Sequence, residues 1–179
     1  MNELFQKRHS GREYNGDRDL PDDVLMQMVE AARWAPSCYG EEPWRFLMVR
    51  QRVSPNLHAD VLGTLAEPNR VWAANAPVLV IVMAKRQWTR NQEDNFWATY
   101  DTGAAAENMM LQGTALNVLV HPMGGFSPDA IRGLFEISDQ YHIMAVMALG
   151  YEKDNPQLVE RKRSPAESRF FWESWSEEG

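Results

Sequence analysis

The sequence predicts a single layered domain of α/β or α+β class, and three observations carry that expectation. Its 179 residues are the length of one domain. Helical and strand-like apolar patterns alternate along it. Two of the strand-like runs, Pro77 to Met83 and Tyr141 to Leu149, read as strands covered on both faces; the first is β-branched and apolar on both parities.

Each element has a local reason. Asn2 to Arg8 predicts a short first helix, ended by Ser10-Gly11. Pro21-Asp22-Asp23 starts a second, because proline tolerates the first turn and carboxylates favour the positive helix end. Val24, Leu25, Met28, Val29 and Ala32 give it one apolar face, and Pro36-Ser37 stop it. Trp44 to Arg50 predicts a strand, and Ser54-Pro55 opens a helix running through Leu65. A long helix is expected from about Asn95 to Asn117. Its small-residue middle, Thr102 to Ala106, would let another backbone approach closely. Val118 to Val120 predicts a brief strand, and Ser127 is the expected N-cap of a helix with Pro128 in its first position. The last strand is expected to close at Gly150, and residues 153–179 to form an arm rather than core. The methionines and tryptophans are expected mostly in the core.

Composition narrows the function. A hydrophobic fraction of 44% and a charged fraction of 24% exclude whole-chain disorder. A net charge of −7 opposes nonspecific nucleic-acid or anionic-membrane partners. One cysteine, Cys38, leaves no intrachain disulfide and no cysteine-based zinc site. The N-terminus lacks a secretory apolar core, and the longest apolar run, Ala76 to Ala84, is far short of the ~20 residues that span a bilayer. A cytoplasmic protein is the expectation.

No hydrolase elbow, zinc-protease, phosphate-loop or dinucleotide fingerprint is present, and His9, His58, His121 and His142 show no ligand spacing. Any reactive group is therefore expected to be borrowed from a cofactor. Six of the 18 basic residues fall in two short segments, Lys7, Arg8 and Arg12 at one end and Arg161-Lys162-Arg163 at the other. With Ser10 these are good phosphate ligands; the alternatives are charge at a helix C-terminus and a solvated basic arm. Gly124-Gly125 leaves backbone N–H groups open to a flat ligand, or simply makes a tight turn. Ala35 to Phe46 ties a helix end through a polar loop to a Pro-Trp strand start.

In order, Arg8-His9-Ser10-Gly11-Arg12, Ala35-Pro36-Ser37, Pro43-Trp44-Arg45-Phe46 and Ala76-Pro77 resemble segments of the FMN-dependent nitroreductase family. So do Asp101 to Asn108, Pro122-Met123-Gly124-Gly125-Phe126, Ala148-Leu149-Gly150-Tyr151 and Arg161-Lys162-Arg163-Ser164-Pro165. The resemblance covers nearly the whole chain.

It implies an α+β, three-layer α/β/α fold with a mainly antiparallel central sheet and a long central helix. It also implies a homodimer with FMN at the subunit interface. Arg8, Ser10, Arg161 and Arg163 would hold the phosphate, with His9 between the first two. Arg12 would reach the flavin N1/O2 side, the backbone at Gly124 and Gly125 would face N5 and O4, and Met123 before them is a further cofactor-binding candidate. Asn69 would meet the pyrimidine edge, and Pro36, Ser37 and Cys38 would come from the partner. The implied activity is ping-pong hydride transfer from NAD(P)H through flavin N5 to a nitroaromatic, quinone or similar small acceptor, with no catalytic side chain. The rival class is a flavin-binding sensor, store or flavin-processing protein with little turnover. The chain departs from the family at Gly40, Glu41 and Glu42, where Asn and Gln are frequent, and at Cys38, where Ser is common. Trp88, Trp97 and Tyr100 are candidates to roof the flavin, and Phe170-Phe171-Trp172 to wrap the partner.

Overall fold

β2 (Val78–Lys85) sends alternate side chains into two separate apolar layers, and the rest of the fold follows from that. A computed structural model describes residues 1–157, 159–173 and 175. Val78, Val80 and Val82 join one cluster, with Leu25 and Met28 of α2 (Asp22–Arg33) and Ala105 and Met109 of α5 (Ala98–Ala115). Leu79, Ile81 and Met83 join the other. There they meet Val61 of α3 (Pro55–Gly63), Ala73 of α4 (Glu67–Ala73) and Ile131 of α6 (Pro128–Phe135). Helices thus cover both faces of the sheet, which is the α/β/α layering expected. An apolar run on both parities is commonest in parallel sheets, but here the same burial arises in an antiparallel one.

The sheet is four-stranded, in the order β1-β2-β4-β3, with β1 (Trp44–Arg50), β3 (Val118–Met123) and β4 (Tyr141–Tyr151). Every neighbouring pair is antiparallel. The last strand inserts between β2 and β3, so its pairing closes the sheet. A register shift at Val82/Met83 leaves Met144 of β4 unpaired, a bulge that turns the start of β4.

Most boundaries follow the local chemistry. The Asn2 side chain accepts from the Leu4 N–H and caps α1 (Glu3–Lys7). Ser127 Oγ accepts from the Ala130 N–H at 3.2 Å and caps α6. Asn117 sits in the left-handed region at φ 58° and ends α5. Four expectations are corrected. β3 runs past Val120 to Met123, because Pro122 is tolerated in an edge strand. β4 runs through Gly150 to Tyr151, since Gly150 is the site of a close approach: a Cβ there would lie 2.6 Å from Pro77 Cδ. α4 was not anticipated, being seven residues long with Val71 exposed and no clear apolar period. Four of the seven tryptophans (Trp34, Trp97, Trp172 and Trp175) are exposed rather than core, lying at the end of α2, the start of α5 and the C-terminal segment.

The expected C-terminal arm carries only a short 3₁₀ turn (Ala166–Ser168) within 159–173. Its positions 158, 174 and 176–179 lie outside the described residues. No helix among the described residues is long and apolar enough to cross a membrane.

His58 of α3 is 1% exposed, and its Nε2–H donates to the Ala76 carbonyl at 2.9 Å. Burial holds its pKa below the usual imidazole value. Above the unfolded pKa of about 6.5 the ring is neutral in both states and costs nothing. As pH falls below that, the unfolded chain takes up a proton that the folded chain refuses, so stability falls. Melting temperatures at pH 7.5 and 5.5 are expected to show this drop. His58→Gln, which keeps a donor and cannot titrate, should show a smaller one; equal drops would contradict the assignment.

Candidate functional site

The two basic segments, some 150 residues apart in sequence, meet. Arg161 donates from both Nη atoms, to the carbonyls of Arg8 and Gln6. Around this contact a cleft of about 1040 Å³ is lined by Lys7, Arg8, His9, Ser10, Arg12, Arg161 and Arg163, among others. Glu13 and Glu152 are its acidic members. In a chain of net charge −7 the cleft therefore carries local positive charge. Arg8 Nη1 lies 3.4 Å from Ser10 Oγ, so a guanidinium and a hydroxyl share one wall. His9 anchors the same loop: its Nε2 is 2.8 Å from Glu152 Oε1, and its Nδ1 faces the Lys7 carbonyl at 3.0 Å.

The segment after Arg8 is pinned along the sheet. Tyr14 bridges to Glu152, and its buried hydroxyl donates to the Ala148 carbonyl at 3.0 Å. Burial, with the Glu152 charge adding to it, pushes that phenol far above its usual range, so Tyr14 stays protonated and structural. His121 Nδ1–H donates to the Gly11 carbonyl at 2.8 Å. Its pKa is lowered, first by burial and further by the charges of Arg12 and Arg8, so the ring is neutral near pH 7.

A second group forms at the end of β3. The Gly125 carbonyl accepts from the Ala66 N–H at 2.9 Å and from Asn69 Nδ2 at 3.2 Å. A Cβ on Gly125 would come within 2.8 Å of Asn69 Nδ2, whereas Gly124 has no atom within 4 Å of that position. The Gly124 backbone is thus bare to an incoming flat group. Met123 is 2% exposed with its side chain in the core, so it can offer such a group only its main chain.

Pro36, Ser37 and Cys38 lie elsewhere. The Cys38 N–H donates to Asp101 Oδ2 at 2.9 Å, at the N-terminal end of α5. Thr114, near the other end of that helix, lines a smaller hollow that shares Lys7, His9 and Glu152 with the cleft. Thirteen residues of helix separate the two by roughly 20 Å. One protomer therefore does not bring 36–38 to its own basic cleft. Glu41 is engaged: its Oε1 accepts from Thr89 N–H at 2.8 Å and from Thr89 Oγ1, which holds its carboxyl below the usual range. Glu42 is exposed, with φ 47°. Trp88 is buried and meets Tyr39 edge-on at 6.0 Å, while Trp97 and Tyr100 are exposed.

Three participants were not anticipated: Trp72, His121 and Glu152. The spacing of Asn69 and Trp72, three apart on one helix face, is the sequence signal that would have paired the first with a known candidate.

The α+β fold gathers two distant arginine segments into one cleft, and α4 joins that region to the Gly124-Gly125 turn, the Trp72 ring centre lying 5.9 Å from the Arg12 guanidinium and Asn69 donating to the Gly125 carbonyl. A family model described as Nitroreductase family matches residues 5–151, and the chain belongs to that family, as an oxidoreductase. A crystal structure described as an oxidoreductase containing FMN is 28% identical, with a TM-score of 0.90 over 98% of this chain and 93% of that one. A nitroreductase family protein from Clostridium difficile 630 is 27% identical, with a TM-score of 0.79 over 98% and 100% of the two chains. A relative from Archaeoglobus fulgidus, provisionally named as an NADH dehydrogenase/NAD(P)H nitroreductase, is 28% identical over 96% of this chain and 97% of its own.

Proposed function

We propose that this chain is an FMN-dependent oxidoreductase that passes hydride from NAD(P)H to a nitroaromatic, quinone or similar small acceptor. The observation that carries the reading is the cleft in which Arg161 is bonded to the Arg8 loop. The donor set fits FMN: guanidinium groups and a hydroxyl suit a phosphate dianion, and the open face of Gly124 suits a planar ring.

When bound, the flavin supplies the centre that takes up and releases hydride. Arg8, Ser10, Arg161 and Arg163 bind the phosphate, with His9 holding the loop between the first two. Arg12 sets a positive charge at the pyrimidine side. Gly124 and Gly125 offer unobstructed main chain to the ring edge, with Asn69 behind them. Pro36, Ser37 and Cys38 close the site from a second protomer, consistent with their separation from the cleft of their own chain. The chain is one domain, 1–179, with 153–179 as an arm reaching the partner, and works in the cytoplasm.

The purified protein is expected to be yellow, to bleach on adding NADH or NADPH, and to recolour on adding a nitroarene. Tight flavin binding without bleaching would leave a flavin-binding protein of little turnover. A colourless preparation that FMN cannot reconstitute would reject the proposal.

Glu42 bears on acceptor choice. Its carboxylate is exposed on the loop that carries 36–38, whereas that of Glu41 is already engaged by Thr89. Glu42→Gln is expected to raise the steady-state rate on an anionic quinone relative to a neutral one by about two- to fivefold, the size of a screened surface charge effect. An unchanged ratio would remove Glu42 from acceptor selection.

A further inference from the structure

Helix α4 touches both halves of the proposed flavin site. Asn69 on one turn holds the Gly125 carbonyl, and Trp72 on the next stacks on His121 with ring centroids 4.4 Å apart. Tyr14 lies on the stack as well, 6.1 Å from Trp72 and nearly parallel to it. The Arg12 guanidinium lies 5.9 Å from the centre of the Trp72 ring, within the range of a cation–π contact. His121 completes the arrangement by donating to the carbonyl of Gly11, the residue before Arg12. The backbone leading into Arg12 and the charge at its tip are therefore held by two rings that are themselves in contact.

The Trp72 indole N–H is buried without a hydrogen-bond partner among the described residues. A tryptophan placed for its polar edge would satisfy that donor. This one is placed for its faces, and those faces meet His121, Tyr14 and Arg12.

We propose that Trp72 and His121 are positioning residues for Arg12, and that through it they set the flavin's reduction potential. The inference rests on the reading in which Arg12 faces the flavin pyrimidine. A fixed cation there stabilises the reduced, more electron-rich ring more than the oxidised one. Loosening Arg12 should then cost affinity for reduced FMN more than for oxidised FMN.

The test uses the flavin-loaded protein and five variants, reading oxidised-FMN affinity by fluorescence quenching and the midpoint potential by dye equilibration. Trp72→Leu removes the platform, and His121→Phe keeps a ring but loses the donor to Gly11. Both are expected to weaken reduced-FMN binding about tenfold more than oxidised, which lowers the two-electron midpoint by about 30 mV. Trp72→Phe keeps a ring face, and His121→Asn keeps an N–H donor. Both should stay within threefold of wild type in that affinity ratio. Midpoints for Trp72→Leu and His121→Phe that match wild type would overturn the proposal. So would conservative variants that fall as far as the disruptive ones, since a merely structural role predicts both. If Trp72→Leu does not fold, the His121 pair decides. Arg12→Leu separates the two levels. A lowered midpoint there with unchanged Trp72 and His121 variants rejects the positioning role alone, and a wild-type midpoint in Arg12→Leu rejects the placement of Arg12 itself.

Discussion

Replacing Arg8 or Arg163 with alanine is expected to weaken FMN binding roughly ten- to a hundredfold while leaving riboflavin binding unchanged. Hydrogen bonds to a charged group are worth about 1.5–3 kcal/mol each, and about 1.4 kcal/mol is a factor of ten. Riboflavin has the same ring without the phosphate, so it isolates the anion contact from everything else. Both arginines line the cleft, and their side chains bond locally, Arg8 to Ser10 and Arg163 to the Lys162 carbonyl. Removing either should leave the fold intact. Arg161 is a poorer probe, because its guanidinium also ties the C-terminal segment to the Gln6 and Arg8 carbonyls. Arg161→Ala should therefore weaken both ligands. Titrating the apoprotein with each flavin and following fluorescence quenching gives the comparison. Equal losses for FMN and riboflavin with Arg8→Ala would place the phosphate elsewhere.

Gly150→Ala should destabilise the protein by about 1–3 kcal/mol, the usual cost of forcing an extra carbon into a filled core. Its Cβ would lie 2.6 Å from Pro77 Cδ and 2.9 Å from Tyr14 Cδ1. Neither neighbour can yield cheaply. Pro77 leads into β2, and Tyr14 is completely buried with its hydroxyl bonded to Ala148. At this chain length the melting temperature should fall by roughly 3–10 °C. Gly124→Ala is the contrasting case. No atom lies within 4 Å of its Cβ position, so stability should barely change while flavin binding weakens, because the new methyl stands where the ring edge would come. Calorimetry and flavin titration on the two variants should give opposite patterns. If Gly124→Ala binds FMN as wild type does, the turn does not face the ligand.

Local chemistry made much of the fold legible. β1 spans the expected Trp44–Arg50, and α6 starts at the expected Ser127 cap, because a short apolar run with its following turn, proline position and a capping hydroxyl act within a few residues. α4 was not legible for the same reason. Seven residues make fewer than two turns, and the helix is held by what it touches: Trp72 against His121 and Tyr14, Asn69 against Gly125. The exposed tryptophans show a different limit. Hydrophobicity predicts burial against something, but not whether that something belongs to the same chain.

The sequence by itself made most of the element types legible, with the two-faced burial of β2 and the order of motifs that marks the family. It also held both arginine segments in plain view, since residue type and spacing are local properties. Only the tertiary structure decided that β4 inserts between β2 and β3, that Arg161 reaches the carbonyls of Arg8 and Gln6, and that Trp72 lies against the Arg12 guanidinium while His121 holds the Gly11 carbonyl. It also decided that Cys38 is held at the far end of α5 from the basic cleft. Those facts depend on contacts between residues tens to more than a hundred positions apart. Such contacts form when burying two covered sheet faces outweighs the entropy of closing long loops, and no short stretch of sequence records that balance.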